Sequence, residues 1–402
     1  MFLTSHHCFS TVPSSFPLPK CNNRWIRFMC KASLITDSNS FEVGRLIGSY
    51  GFMNVTSYSG YLSGMDIECS PKDLERLKAQ DVGEGSVKIR LYEGRITQGQ
   101  LRGTPVMFKV YPGQLIGGIE ADWMAANELN AHAWLQSCSK DACQNLTILA
   151  GGFETQTGEQ WLAFHENGRF TAADYAKFAS ERLSKQRMPI DNVWNRMQHD
   201  ETMRRKRYFI TKLLRGAMNG LAFMHNHDRL HQSLGPFSVC LNTMIEKDTS
   251  SLLPRLRDFA FAVDVSIPSI EKETGKFSAA LWRRAIQAGA TSPFAKRAFG
   301  FADDIYEAGF LLAYLAIVPF CESGIIDNLS LQRIIESTFQ LDLEATREYF
   351  LADERFEEAV KFLDLGDRAG WQLLQAMLDP DFRKRPIAEA VVNHRFLTGA
   401  VL

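Results

Sequence analysis

Cysteine is scarce. Eight residues in 402 are too few for a disulfide-stapled scaffold, and those at 69, 138, 143, 240 and 321 lack metal-ligand spacing, so free thiols are expected. An excess of charge of one sign is missing too. Lys and Arg number 45 against 46 Asp and Glu, so no global positive field exists to neutralise phosphates, and a nucleic-acid partner is not expected. Long hydrophobic runs are absent. The longest, residues 308–321, falls short of the roughly 20 a spanning helix needs. It starts after Glu307 and is interrupted by Pro319, and it reads as a buried core helix rather than a transmembrane segment. Gly at 28 and Pro at 14 exclude collagen-like chains. What remains, 45% hydrophobic and 23% charged, is enough apolar material for a full core.

Acid is also missing locally. No Asp or Glu precedes Asp37, while Lys20, Arg24, Arg27 and Lys31 supply positive charge among many Ser and Thr residues. Phe2 and Leu3 run at once into Thr4, Ser5, His6 and His7, so the apolar stretch of a secretory signal is absent. This composition predicts a transit peptide over residues 1–30, cut near Cys30. The destination expected is the chloroplast, stromal or thylakoid-associated, with the mitochondrion as the alternative.

Residues 31–84 read as a polar N-terminal extension. It carries one short helix over 71–80, capped by Ser70 and opened by Pro71. Alternation then predicts strands over 86–92, 95–101 and 106–111, a helix over 120–136, and strands over 146–149 and 161–164. Helical periodicity dominates the rest: 171–183, 205–225, 303–316, 331–339, 346–351, 355–363, 368–378 and 387–393. The fold class expected is α+β, with a small β-rich lobe followed by a larger helical lobe. The one dense basic run is Arg204-Arg205-Lys206-Arg207. It reads as a solvated helix face, with peripheral membrane contact as the alternative.

Over residues 85–400 a series of motifs falls in order. Val106-Met107-Phe108-Lys109 ends a predicted strand, and Glu128 lies inside the helix that follows. His231-Gln232-Ser233-Leu234 opens a loop that runs through Pro236 and Ser238. Asp258-Phe259-Ala260 comes next, then Asp304-Ile305-Tyr306-Glu307-Ala308-Gly309, and Arg385-Pro386 near the end. This order resembles the eukaryotic protein-kinase superfamily, and the resemblance implies a bilobal protein-kinase-like fold. It implies that Lys109 would meet nucleotide phosphates, with Glu128 holding its ammonium, and that Asp258 would be a metal ligand. ATP and Mg²⁺ are the cofactors such a site would take.

The same register exposes departures. Ser233 stands where the family's catalytic Asp would be, and a hydroxyl is not ionised near neutral pH. Ser238 replaces the Asn that holds a second Mg²⁺ and offers only a weak neutral oxygen. Gln232 replaces an Arg that would meet a phosphorylated activation loop. Met107 stands where the resemblance implies an adenine-facing alanine, and its longer side chain would crowd that position. Of the Gly-rich loop, Gly94 alone is kept in register, and the other two positions hold Ile89 and Leu91. A second stretch, Ile47-Gly48-Ser49-Tyr50-Gly51-Phe52, resembles such a loop but stands too far from Lys109 for a simple hairpin, and it reads as a turn. These losses imply a catalytically impaired pseudokinase, a regulatory or interaction module acting through protein partners. The alternatives are a divergent active Ser/Thr kinase or a nucleotide sensor.

Overall fold

The structure is a computed structural model. It describes residues 34–56, 75–81, 87–138, 143–166, 168–185, 193–272, 275 and 277–401. The transit peptide expected over 1–30 lies outside the described residues.

The first half of the described chain is mostly sheet. β1 (Phe41–Thr56), β2 (Glu75–Asp81), β3 (Ile89–Ile96) and β4 (Pro105–Tyr111) precede α1 (Gln114–Cys138); β5 (Leu149–Glu154) and β6 (Gln160–His165) follow it. They form a six-stranded sheet in the order β2-β1-β3-β4-β6-β5, with every pairing antiparallel. Successive side chains of a strand point to opposite faces, and the core divides accordingly. Phe41, Ile96, Val106, Phe108, Val110 and Ala163 pack together on one face. On the other, Ile89, Tyr111, Leu162 and Phe164 pack against Ala121, Met124 and Ala125 of α1.

The second half is helical. β7 (Phe170–Thr171) leads into α2 (Ala172–Lys185) and α3 (Val193–Asn226). Four short strands follow, β8 (Arg229–Leu230), β9 (Val239–Leu241), β10 (Arg255–Leu256) and β11 (Val263–Asp264). Then come α4 (Ile267–Glu271), α5 (Ala279–Gln287), α6 (Pro293–Ile317), α7 (Asn328–Arg333), α8 (Leu343–Leu351), α9 (Glu357–Met377) and α10 (Ala388–Val392). Pro293 opens α6, and the Ser292 hydroxyl caps it by accepting from the Ala295 N–H. α6 is buried along most of its length against α3, α5 and α9, so the apolar run after Glu307 is core, as its composition predicts. α9 breaks at Gly366, Asp367 and Arg368, all at positive φ, where the pattern predicts two helices. No helix among the described residues is long and apolar enough to cross a membrane.

Three expectations change. Residues 75–80 of the expected 71–80 helix are strand β2, paired with β1 from Gly51↔Asp81 to Thr56↔Glu75; residues 71–74 lie outside the described residues. The described strands of the polar extension are therefore not separate, because β1 joins β2 to β3 inside one sheet, and the expected boundary at residue 85 lies in sequence between β2 and β3. The strands expected over 86–92 and 95–101 are one strand, β3, and the chain turns after it to meet β4.

The basic run is not a uniform solvated face. Lys206 is buried, donates to the Pro319 carbonyl at 2.7 Å, and lies over the Phe320 ring. Burial brings its ammonium down to about 8. Arg207 pairs with Glu358 of α9 at 3.1 Å, and Arg204 and Arg205 share Glu201. With Lys206 turned inward and Arg204, Arg205 and Arg207 set against two carboxylates, Glu201 and Glu358, little net positive charge is left to hold an anionic membrane.

Candidate functional site

β4 carries the centre of the site. Phe108 faces the aromatic core, so its neighbour Lys109 points to the α1 side. Lys109 Nζ stands 2.6 Å from Glu128 Oε1 on α1 and 2.5 Å from Asp258 Oδ1, just before β11. All three side chains are buried. Burial alone would lower the Lys109 ammonium, but Asp258 and Glu128 outweigh it and hold the group above its ordinary range. Burial would raise the Glu128 carboxyl, and Lys109 instead brings it down to about 2. Tyr111, two residues on along β4, donates its hydroxyl to Glu128 Oε2. The sequence names Lys109, Glu128 and Asp258 but not Tyr111, and the structure brings those three together.

Two further residues complete the cluster, and sequence reasoning missed both. Tyr50 of β1 donates its hydroxyl to Asp258 Oδ1 at 2.8 Å. Its ring lies 5.9 Å from Lys109 Nζ and 5.7 Å from the Arg257 guanidinium. Arg257 Nε lies 3.2 Å from Asp258 Oδ2 and donates to the Phe237 carbonyl at 3.1 Å. Burial, with the Asp258 charge, pushes the Tyr50 phenol well above its usual range, so it stays a donor. An aromatic ladder continues outward. Phe52 of β1 meets Phe261 at 5.0 Å, and Phe261 meets Phe277 at 5.1 Å. Side chains of β1 thus sit directly on Asp258 and on the segment after it.

Tyr50 belongs to the second glycine stretch, read from sequence as a turn. It lies within β1, with Tyr50 opposite Ile89 of β3. Its distance from Lys109 arises because β2 and its flanking residues stand between β1 and β3 in sequence, while β1 and β3 are neighbours in the sheet. Gly94, expected to serve a phosphate loop, is instead in mid-strand β3, paired with Val43 and Val106. A Cβ there would stand 2.4 Å from Phe108 Cε2 and 2.6 Å from the Glu42 carbonyl. Gly94 is needed for close packing, and Gly94→Ala should cost about 1–3 kcal/mol, read by urea unfolding.

The loop after β8 is fixed by buried polar contacts. Ser233 donates its hydroxyl to the Asp258 carbonyl at 2.9 Å, and His231 Nε2 meets the Arg257 carbonyl at 3.0 Å. Burial pushes the His231 imidazole down, so it is neutral and structural here. Its ring meets Phe259 edge-on, and Phe259 stacks on His132 of α1 at 4.2 Å. Ser238 closes its own turn. Its hydroxyl donates to the Gly235 carbonyl at 2.8 Å and accepts from the Gly235 N–H at 2.9 Å. Gln232 donates to Asp303 and Asp304 of α6, while Arg284 of α5 grips Asp303 with two bonds at 2.7 and 3.0 Å. An arginine from α5 thus meets Asp303 beside Gln232.

The arrangement suits neutralisation rather than reaction. Two cations, Lys109 and Arg257, face two carboxylates, Glu128 and Asp258, inside the fold. Ser233 and Ser238 each have their hydroxyl directed to a backbone carbonyl. Among the described residues no group of three or more His, Cys, Asp or Glu side chains is placed to hold a metal ion. The four cysteines among them, 138, 143, 240 and 321, are free thiols. No protein-family model matches the chain, and no curated protein matches it.

Proposed function

We propose that the chain is a protein-kinase-like pseudokinase of bilobal plan, a regulatory or interaction module that works through protein partners without transferring phosphate. The observation that carries this reading is the closure of the Lys109–Asp258 pair by Tyr50. In a phosphoryl-transfer site these two groups face the nucleotide and its metal. Here a phenol takes one Asp258 oxygen and the ring covers the ammonium. The base position adds support, because the Ser233 hydroxyl is donated to the backbone of Asp258. The chloroplast remains the proposed compartment, on the composition of the leader.

A thermal-shift titration with ATP and Mg²⁺ tests the reading. A nucleotide at 100 times its Kd would add about 2.7 kcal/mol to stability and raise the melting temperature by several degrees. The expected result is no shift at millimolar ATP and no autophosphorylation. Ser233→Asp should gain no transferase activity, since Tyr50 still covers the pair. Phosphate transfer by the wild type, or its appearance in Ser233→Asp, sinks the proposal.

A further inference from the structure

Arg257 immediately precedes Asp258, and its side chain turns back onto it. The guanidinium lies between the Phe237 carbonyl, the Tyr50 ring and Asp258 Oδ2. Asp258 Oδ1 is already met by Lys109 Nζ and by the Tyr50 hydroxyl. Oδ1 is thus met by two donors, while Oδ2, which accepts no hydrogen bond among the described residues, faces the Arg257 charge at 3.2 Å because the Arg257 Nε hydrogen goes to the Phe237 carbonyl. A divalent cation asks for the opposite: six or more oxygens, several of them anionic or water, with lone pairs turned toward it. Ser238, the other residue the resemblance would offer a metal, has its hydroxyl hydrogen on Gly235. The cluster's formal charge is already balanced, two cations to two carboxylates, and a metal would add two uncompensated charges in a site that excludes water.

We propose that Arg257 is the resident cation of this site and excludes divalent metal from Asp258, so that the charge a kinase-like site would leave for Mg²⁺ is supplied by the chain itself. The inference rests on the kinase-like reading, because that reading makes Asp258 the residue where a metal would be sought. It goes further by naming the side chain that sets the specificity. Loss of the base at Ser233 leaves metal binding open; Arg257 closes it. One substitution should therefore reopen it.

Mn²⁺ is the probe, since its free aqueous ion gives a paramagnetic resonance signal that is lost on binding. The full chain is titrated with Mn²⁺ to 1 mM, alone and as Arg257→Gln, which keeps an amide donor for the Phe237 carbonyl while removing the charge. Arg257→Ser is the second variant, and a cooperative melt shows that each is folded. The wild type should show no site that depends on Asp258. Either variant should gain one site, at least tenfold tighter than anything in the wild type, and lose it when Asp258→Asn is added. Mn²⁺ binding by the wild type that disappears in Asp258→Asn overturns the inference, as does a folded Arg257 variant with no new site. The wild-type titration decides the matter even where both variants fail to fold. A wild type that binds Mn²⁺ yet transfers no phosphate overturns the role of Arg257 alone. One that does both overturns the pseudokinase reading as well.

Discussion

Lys109→Met should lower the unfolding free energy by about 3–5 kcal/mol, the range for removing one partner of a buried ion pair. The ammonium is shared by two buried carboxylates, Glu128 Oε1 at 2.6 Å and Asp258 Oδ1 at 2.5 Å. Arg257 and Tyr50 remain on Asp258 in the variant, but Glu128 keeps only the Tyr111 hydroxyl and His132, which burial holds neutral. Were the lysine exposed, as in an open nucleotide pocket, its pair would be worth about 0–1 kcal/mol. The deficit also has a pH signature. In the wild type, Glu128 sits at about 2 against 4.5 for the free side chain, so its contribution is complete above 4.5 and disappears only as pH falls toward 2. Without Lys109, burial is left to push Glu128 upward. A raised carboxyl penalises the fold at high pH and stops doing so as pH falls to the unfolded value. The gap between variant and wild type should therefore narrow from pH 7.5 to pH 5, with the wild type unchanged by Glu128 across that window. Urea unfolding at the two pH values measures it. A variant within about 1 kcal/mol of wild type at pH 7.5 would show that the lysine is solvated.

What the sequence makes legible here depends on how local the determinant is. The 3.6-residue period of 171–183 places α2 within two residues of its bounds, Ala172–Lys185. Lys109, Glu128 and Asp258 are recoverable because their order along strand, helix and turn carries the signal. β2 is not recoverable that way. Its sequence ERLKAQD is rich in helix formers, and it is a strand because β1 offers it a paired edge. The same strand hides the partnership of Tyr50 with Asp258. It lengthens the sequence distance between two sheet neighbours, so a short spacing counted back from Lys109 reaches Gly94 on β3 and never Tyr50 on β1. Arg257 has a different cause. It adjoins Asp258, but nothing in one sequence says that a side chain will fold back onto the residue beside it. Ser233 is intermediate. Its type excludes a carboxylate base, while the carbonyl that accepts from its hydroxyl is known only from the fold.

Asp304→Ala should be comparably damaging, by about 4 kcal/mol or more, because each buried donor left without a partner costs about 1–3 kcal/mol. Asp304 is fully buried on α6. It accepts from the His231 N–H at 2.7 Å, the Gln232 N–H at 3.0 Å, Gln232 Nε2 at 3.0 Å and His225 Nε2 at 3.0 Å. Two of these donors are backbone amides, which alanine would leave buried and unpaired. Gln232 also sits at φ +58, a left-handed conformation that a residue with a Cβ adopts at a cost of about 1–2 kcal/mol. The Asp304 carboxylate is what holds the chain there. Released, the turn can relax, and Ser233 then loses its bond to the Asp258 carbonyl. The effect should travel. Amide exchange at His231 and Gln232 should accelerate first, and the amides around Asp258 should follow. Asp304→Asn should fall between alanine and wild type, because its oxygen keeps two of the acceptor contacts while its NH₂ faces the remaining donors. If Asp304→Ala unfolds within about 1 kcal/mol of wild type, the loop is held from elsewhere, and Gln232 Nε2 to Asp303 is the bond to remove next.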